Sequence, residues 1–103
     1  MDDFVKVCAV EDIPENEPLA VEIDGIPVAI CKVNDKFYAV EDICPHQGAS
    51  YEGGEIEGEV LTCPLHGWRT NVVTGKSLEA PAIEIETYEV RVEDGFVYVK
   101  VED

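Results

Sequence analysis

Apolar residues recur along this chain with period two rather than 3.6, the spacing of half-buried strands. Phe4 to Val10 reads as a first strand. Leu19 to Asp24 alternates and stops at Asp24-Gly25, a strong hairpin signal. Ile26 to Val33 returns, Asn34-Asp35 makes a second turn, and Lys36 to Val40 continues. Four short strands at the start predict an antiparallel meander. Pro14 to Pro18 reads as a loop, because it holds two prolines and two acids.

The last third repeats the style. Ile83 and Ile85 are expected on one face, with Glu84 and Glu86 on the other. The apolar parity then slips to Tyr88, Val90 and Val92, which predicts a bulge or corner near Glu86-Thr87. Asp94-Gly95 is a turn, and Val97, Val99 and Val101 form a last strand. No helical period runs for ten residues. Cys8 and Cys31 alternate with valine and isoleucine and read as buried free thiols. Tyr38, Tyr88 and Tyr98 read as scaffold.

Composition narrows the function class. At 103 residues the chain fits one domain. A formal net charge of −16 argues against nucleic acid and against an anionic membrane. An apolar content of 46% is too high for a disordered acidic tail. No apolar run approaches the roughly 20 residues that span a bilayer, and Met1 to Val10 shows no signal-peptide pattern. The expected compartment is the cytoplasm, where thiols stay reduced, so the four cysteines read as metal ligands or buried thiols.

The middle of the chain breaks the alternation. From Cys44 to Pro81, Gly, Pro, Cys and His concentrate, as in an insert of loops on a β scaffold. Both histidines lie there, each beside a cysteine: Cys44-Pro45-His46 and Cys63-Pro64-Leu65-His66. Pro45 and Pro64 fix the backbone after each cysteine. Gly48 and Gly67 let backbone pass close to a bulky group. Two donor sets fit. Structural zinc takes two Cys and two His, although C-x-H is tight for it. A [2Fe–2S] cluster with two histidines on one iron fits a pair of loops that each offer one thiolate and one imidazole.

The full pattern resembles the Rieske signature: Cys44-Pro45-His46-Gln47-Gly48-Ala49, Glu52-Gly53-Gly54, Cys63-Pro64-Leu65-His66-Gly67-Trp68 and Thr74-Gly75-Lys76. It is similar to the small Rieske ferredoxins that serve ring-hydroxylating dioxygenases of aromatic catabolism, over nearly the whole chain. The resemblance implies an all-β antiparallel sandwich in one domain, residues 1–103. Its base scaffold would be about 1–42 and 82–103, with a small loop-rich cluster-binding subdomain over about 43–81. It implies one [2Fe–2S] cluster, with Cys44 and Cys63 on one iron and His46 and His66 on the other. Gln47, Gly48, Leu65, Gly67 and Trp68 would surround it. The high-potential Rieske proteins carry an extra cysteine in each loop and hydroxyl donors to the cluster. Here those loop positions hold Gln47 and Leu65, and Trp68 stands where a serine would lie. Fewer hydrogen bonds to the sulfurs imply a low potential, roughly −150 mV.

The resemblance further implies an electron carrier and not an enzyme, with no catalytic acid, base or nucleophile. Its partners would be a flavoprotein ferredoxin reductase and a terminal oxygenase, met in brief docking by a monomer. A nitrite-reductase small subunit and a structural-zinc module are the alternatives. The Cys44–Ala80 stretch holds five acids against two bases and is less acidic than either flank. The overall charge therefore reads as a long-range steering field around a near-neutral docking tip. The run Glu52, Glu55, Glu57 and Glu59 reads as a docking patch or a solvated loop. Trp68 is expected to pack beside the cluster and shield it. Arg69 and Lys76 are expected to balance nearby carboxylates. Tyr51, in the same stretch, carries no assigned role.

Overall fold

The computed structural model describes residues 4–43, 50–64, 67–80 and 82–101. Nine strands form among them: β1 (Phe4–Ala9), β2 (Leu19–Ile23), β3 (Ile26–Val33), β4 (Lys36–Glu41), β5 (Glu55–Glu57), β6 (Val60–Thr62), β7 (Arg69–Asn71), β8 (Thr87–Glu93) and β9 (Phe96–Lys100). All pairings are antiparallel. The larger sheet runs β1-β9-β8-β4-β3-β2, and its two edges approach each other, nearly closing a barrel. The smaller sheet is β5-β6-β7. The all-β antiparallel class is thus as expected.

The turn signals place the hairpins. Asp24 and Gly25 have φ of 53° and 82°, and Asp94 and Gly95 have 53° and 81°. Positive φ at both central residues is the two-residue turn that matches strand twist, and the second residue in each case is glycine. The tight turns hold β2-β3-β4 as a meander. β1 does not belong to it. A 3₁₀ turn at Val10–Asp12 and the Pro14–Pro18 loop replace a hairpin, and β1 pairs instead with β9. Ten or so residues with two prolines cannot fold back as a two-residue turn, so the chain crosses to the far edge. The β1–β9 register shifts between Lys6 and Cys8, a bulge that the sequence did not signal.

The parity slip near Glu86-Thr87 marks a change of partner. Before it, Glu84 bridges Lys76, and the Ile85 N–H donates to the Gly75 carbonyl at 2.8 Å. After it, Thr87 and Tyr88 pair with Val40 and Ala39 of β4. The slip is a corner between two sheets. Ile83 and Ile85 do not share a buried face, because Ile85 is buried while Ile83 is exposed.

Two cores result, one on each side of β3. Val28 and Ile30 point into the barrel with Ile23, Ala39, Val97 and Val99. Ala29, Cys31 and Val33 point outward, against Tyr51, Ile56, Leu61, Cys63 and Val72 of the insert. This covering explains why Val28 to Cys31 form a continuous buried run, rather than alternating buried and exposed as an uncovered sheet face would. The expected loop insert therefore contains a small sheet. β5 is a strand with Ile56 buried between exposed Glu55 and Glu57, so two of the four acids of the run lie on the outer face of that strand, with Glu52 and Glu59 in the turns beside it.

Candidate metal centre

Of the nine residues expected at the site, the described ones are Cys63, Gly67 and Trp68. Cys44, His46, Gln47, Gly48, Leu65 and His66 lie outside the described residues.

The second loop is the tip of the β6–β7 hairpin, which pairs Thr62 with Arg69. Cys63 follows β6 directly. Its N–H donates to the Trp68 carbonyl at 2.7 Å, and its own carbonyl accepts from the Gly67 N–H at 3.0 Å. Gly67 has φ of 70°, a conformation that side-chain-bearing residues rarely adopt. The cysteine is only 1% exposed and belongs to the outer core. Trp68 is half-buried and packs on that core. Pro64 and Gly67, by contrast, are exposed at the tip.

The first loop leaves β4 after Glu41 and returns at Ser50. Asp42 fastens the return. Its Oδ1 accepts from the Tyr51 N–H at 2.7 Å, and its Oδ2 accepts from the Ser50 hydroxyl at 2.6 Å. The Asp42 N–H donates to the Pro27 carbonyl, which anchors it to the large sheet. Tyr51 is fully buried, and its hydroxyl meets Thr70 Oγ1 at 2.8 Å. Gly54 joins the frames. Its N–H donates to the Tyr51 carbonyl at 2.8 Å, and a Cβ there would run into the carbonyls of Thr62 and Tyr51. Asp42, Tyr51, Gly54 and Thr70 thus organise the site, and sequence reasoning assigned none of them a role. The Gly53-Gly54 pair was the available signal for one of them.

Electrostatics separate the cysteines. Burial, and then the nearby Asp42 carboxylate, push the Cys31 thiol up from 9.0 to about 12. Cys31 is a fully buried structural thiol, as expected. Cys8 is half-buried rather than buried, and burial followed by the Asp12 carboxylate raises its thiol too. Arg69 leaves the tip to hold Glu79. Its N–H and its Nε donate to the two carboxylate oxygens at 3.0 and 2.8 Å, and these bonds lower the Glu79 carboxyl.

The described half fits a bulky thiolate-bound centre. A cysteine sits beside water-poor core in the second loop, glycines clear the backbone around it, and the base of the first loop is fastened by Asp42. Among the described residues no helix is long and apolar enough to cross a membrane.

Comparison with known proteins agrees with this geometry. The family model described as the Rieske [2Fe-2S] domain matches residues 3–89. The ferredoxin CarAc of Metapseudomonas resinovorans is 39% identical over 98 residues, covering 93% of this chain and 92% of that protein. The solved complex of reduced oxygenase and oxidized ferredoxin in carbazole 1,9a-dioxygenase contains a chain with a TM-score of 0.85 and 38% identity, covering 97% of this chain and 94% of that one. A solved nitrite reductase NADPH small subunit also shares the fold, with a TM-score of 0.82 and 30% identity over 93% of this chain and 96% of that one. The chain belongs to the Rieske [2Fe-2S] family.

Proposed function

We propose that this protein is a one-electron carrier that takes electrons from a flavoprotein ferredoxin reductase and delivers them to a terminal ring-hydroxylating oxygenase. The observation that carries this reading is the match to ferredoxin components along almost the whole chain and almost the whole of those components. The carbazole ferredoxin solved with its oxygenase supports the oxygenase as partner. The small-subunit likeness to a nitrite reductase concerns the same fold, so the reading stands on the four-ligand signature and on the curated relative rather than on shape.

Within that reading, Cys44 and Cys63 hold one iron and His46 and His66 the other. The bound [2Fe–2S] cluster supplies reversible exchange of a single electron. The protein's own residues do the rest. Cys63 presents its sulfur from beside a dry core, and burial keeps water from it. Trp68 packs on the outer core that contains Cys63 and would shield that side. Asp42, Ser50 and Tyr51 close the base of the first loop. Exposed Pro64 and Gly67 form part of a low-charge tip for docking. Residues 43–81 serve as the cluster-binding subdomain on a scaffold of 1–42 and 82–103. The working form is a monomer in the cytoplasm.

The test is reconstitution with NADH, a flavoprotein reductase and an aromatic-ring oxygenase. Reduction by one electron per chain, followed by product formation that depends on this protein, supports the reading. A protein that is reduced but supports nitrite reduction and no oxygenase contradicts it.

A further inference from the structure

Asp42 ends the β4 side of the first loop, and Thr70 lies in β7 at the far side of the second. A single buried side chain spans them. Tyr51 receives its backbone anchor from Asp42 Oδ1 at 2.7 Å and places its hydroxyl 2.8 Å from Thr70 Oγ1. Asp42 is 6% exposed, and Tyr51 and Thr70 are fully buried. Thr70 pairs directly with Leu61, two residues before Cys63, so the tyrosine ring reaches the hairpin that carries Cys63. Tyr51 also accepts the Gly54 N–H on its carbonyl, which fixes the strut at a third point.

An apolar side chain at position 51 would bury as much surface without needing a partner. A buried hydroxyl pair instead imposes direction and distance, because an unmade bond in this core is costly. The chain runs from the large sheet, through the returning end of the first loop, to the strand beyond the second. It therefore ties the two ligand-bearing loops to one spacing.

We propose that Asp42, Tyr51 and Thr70 form a positioning clasp that sets the separation of the two loops, and through it the retention and the potential of the bound cluster. The inference rests on the ligand assignment above. The three are positioning residues, acting through the backbone that carries Cys63 and its counterpart loop.

The test uses the intact, cluster-loaded protein and two nearly isosteric variants, Thr70→Val and Thr70→Ser, together with the double variant Tyr51→Phe with Thr70→Val. Cluster release into excess EDTA is followed by visible absorbance, and the midpoint potential by redox titration. Thr70→Val is expected to release its cluster about fivefold faster, the worth of one ordinary hydrogen bond, with a shifted potential. Thr70→Ser keeps the hydroxyl and is expected to match the parent in both. The double variant removes both hydroxyls of the strut and keeps the apolar bulk, so it is expected to stay fast and shifted. Parent-like release and potential in Thr70→Val, or full recovery in the double variant, overturn the clasp. A parent protein with no visible cluster overturns the ligand assignment instead, and the clasp with it.

Discussion

Gly54 lies against the Thr62 carbonyl so closely that no side chain fits between them. The contact sits where β5 meets β6 and where the Tyr51 carbonyl turns back. Its φ is not in the left-handed region, so the need for glycine here is purely one of space.

A methyl group at this point must push backbone, which cannot swing aside as a side chain does. Gly54→Ala is expected to cost about 3 kcal/mol, near the upper end for overpacking. Gly58→Ala is the control. That glycine has φ of 63° with open space around it, so it should lose only about 1 kcal/mol of conformational preference. Urea unfolding compares the two. A Gly54 variant no more destabilised than the Gly58 variant would sink the contact argument.

The ligand set makes its own prediction. Cys63→Ser is expected to remove the visible absorption entirely, because a hydroxyl is a poor substitute for a thiolate at iron. His46→Cys or His66→Cys, where a cluster still assembles, should lower the midpoint potential below that of the parent, since thiolate donates more charge than imidazole. Voltammetry checks this, and an unchanged potential in both variants counts against histidine ligation.

Much of this was legible because the signals are local. Asp-Gly turns demand positive φ, and so Asp24-Gly25 and Asp94-Gly95 located two hairpins. The Cys/His spacing exposed the metal-binding pattern, because few residue types bind metal and each loop holds one pair. Pairing across the chain was not legible. Nothing within β1 distinguishes β9 from β2 as its partner. The slip at Thr87 showed that the chain turned, but not that it changed sheets. Tyr51 stands among acids and glycines, and its burial depends on Asp42 and Thr70, which are distant in sequence and ordinary in type.

Cys31 gives a pH dependence. Its thiol is held at about 12 in the fold, against 9.0 for an ordinary one. The native state therefore holds that proton more tightly than the unfolded chain does. The resulting stability is fully present below about pH 9 and is lost as pH rises towards 12. Unfolding midpoints of the parent should fall across that window more steeply than those of Cys31→Ala, and equal alkaline slopes would refute the assignment. At pH 8, iodoacetamide should modify half-buried Cys8 well before Cys31.

The charge of −16 bears on partner encounter. Reduction by the reductase should slow as ionic strength rises, because steering is screened over about 8 Å at physiological salt. Converting Glu52, Glu55, Glu57 and Glu59 to Gln should flatten that salt dependence if the outer face of β5 contributes to it. A rate that stays constant from low to high salt excludes electrostatic steering. A quadruple variant with the parental slope assigns the steering to the remaining carboxylates.

The central claim is a cluster held by two cysteines and two histidines in this chain. Electron paramagnetic resonance of the purified, dithionite-reduced protein tests it most directly. A rhombic signal with a low average g, accompanied by bleaching of a red-brown colour, is the predicted result. A signal typical of an all-cysteine [2Fe–2S] cluster, or a colourless protein that carries zinc, would contradict it.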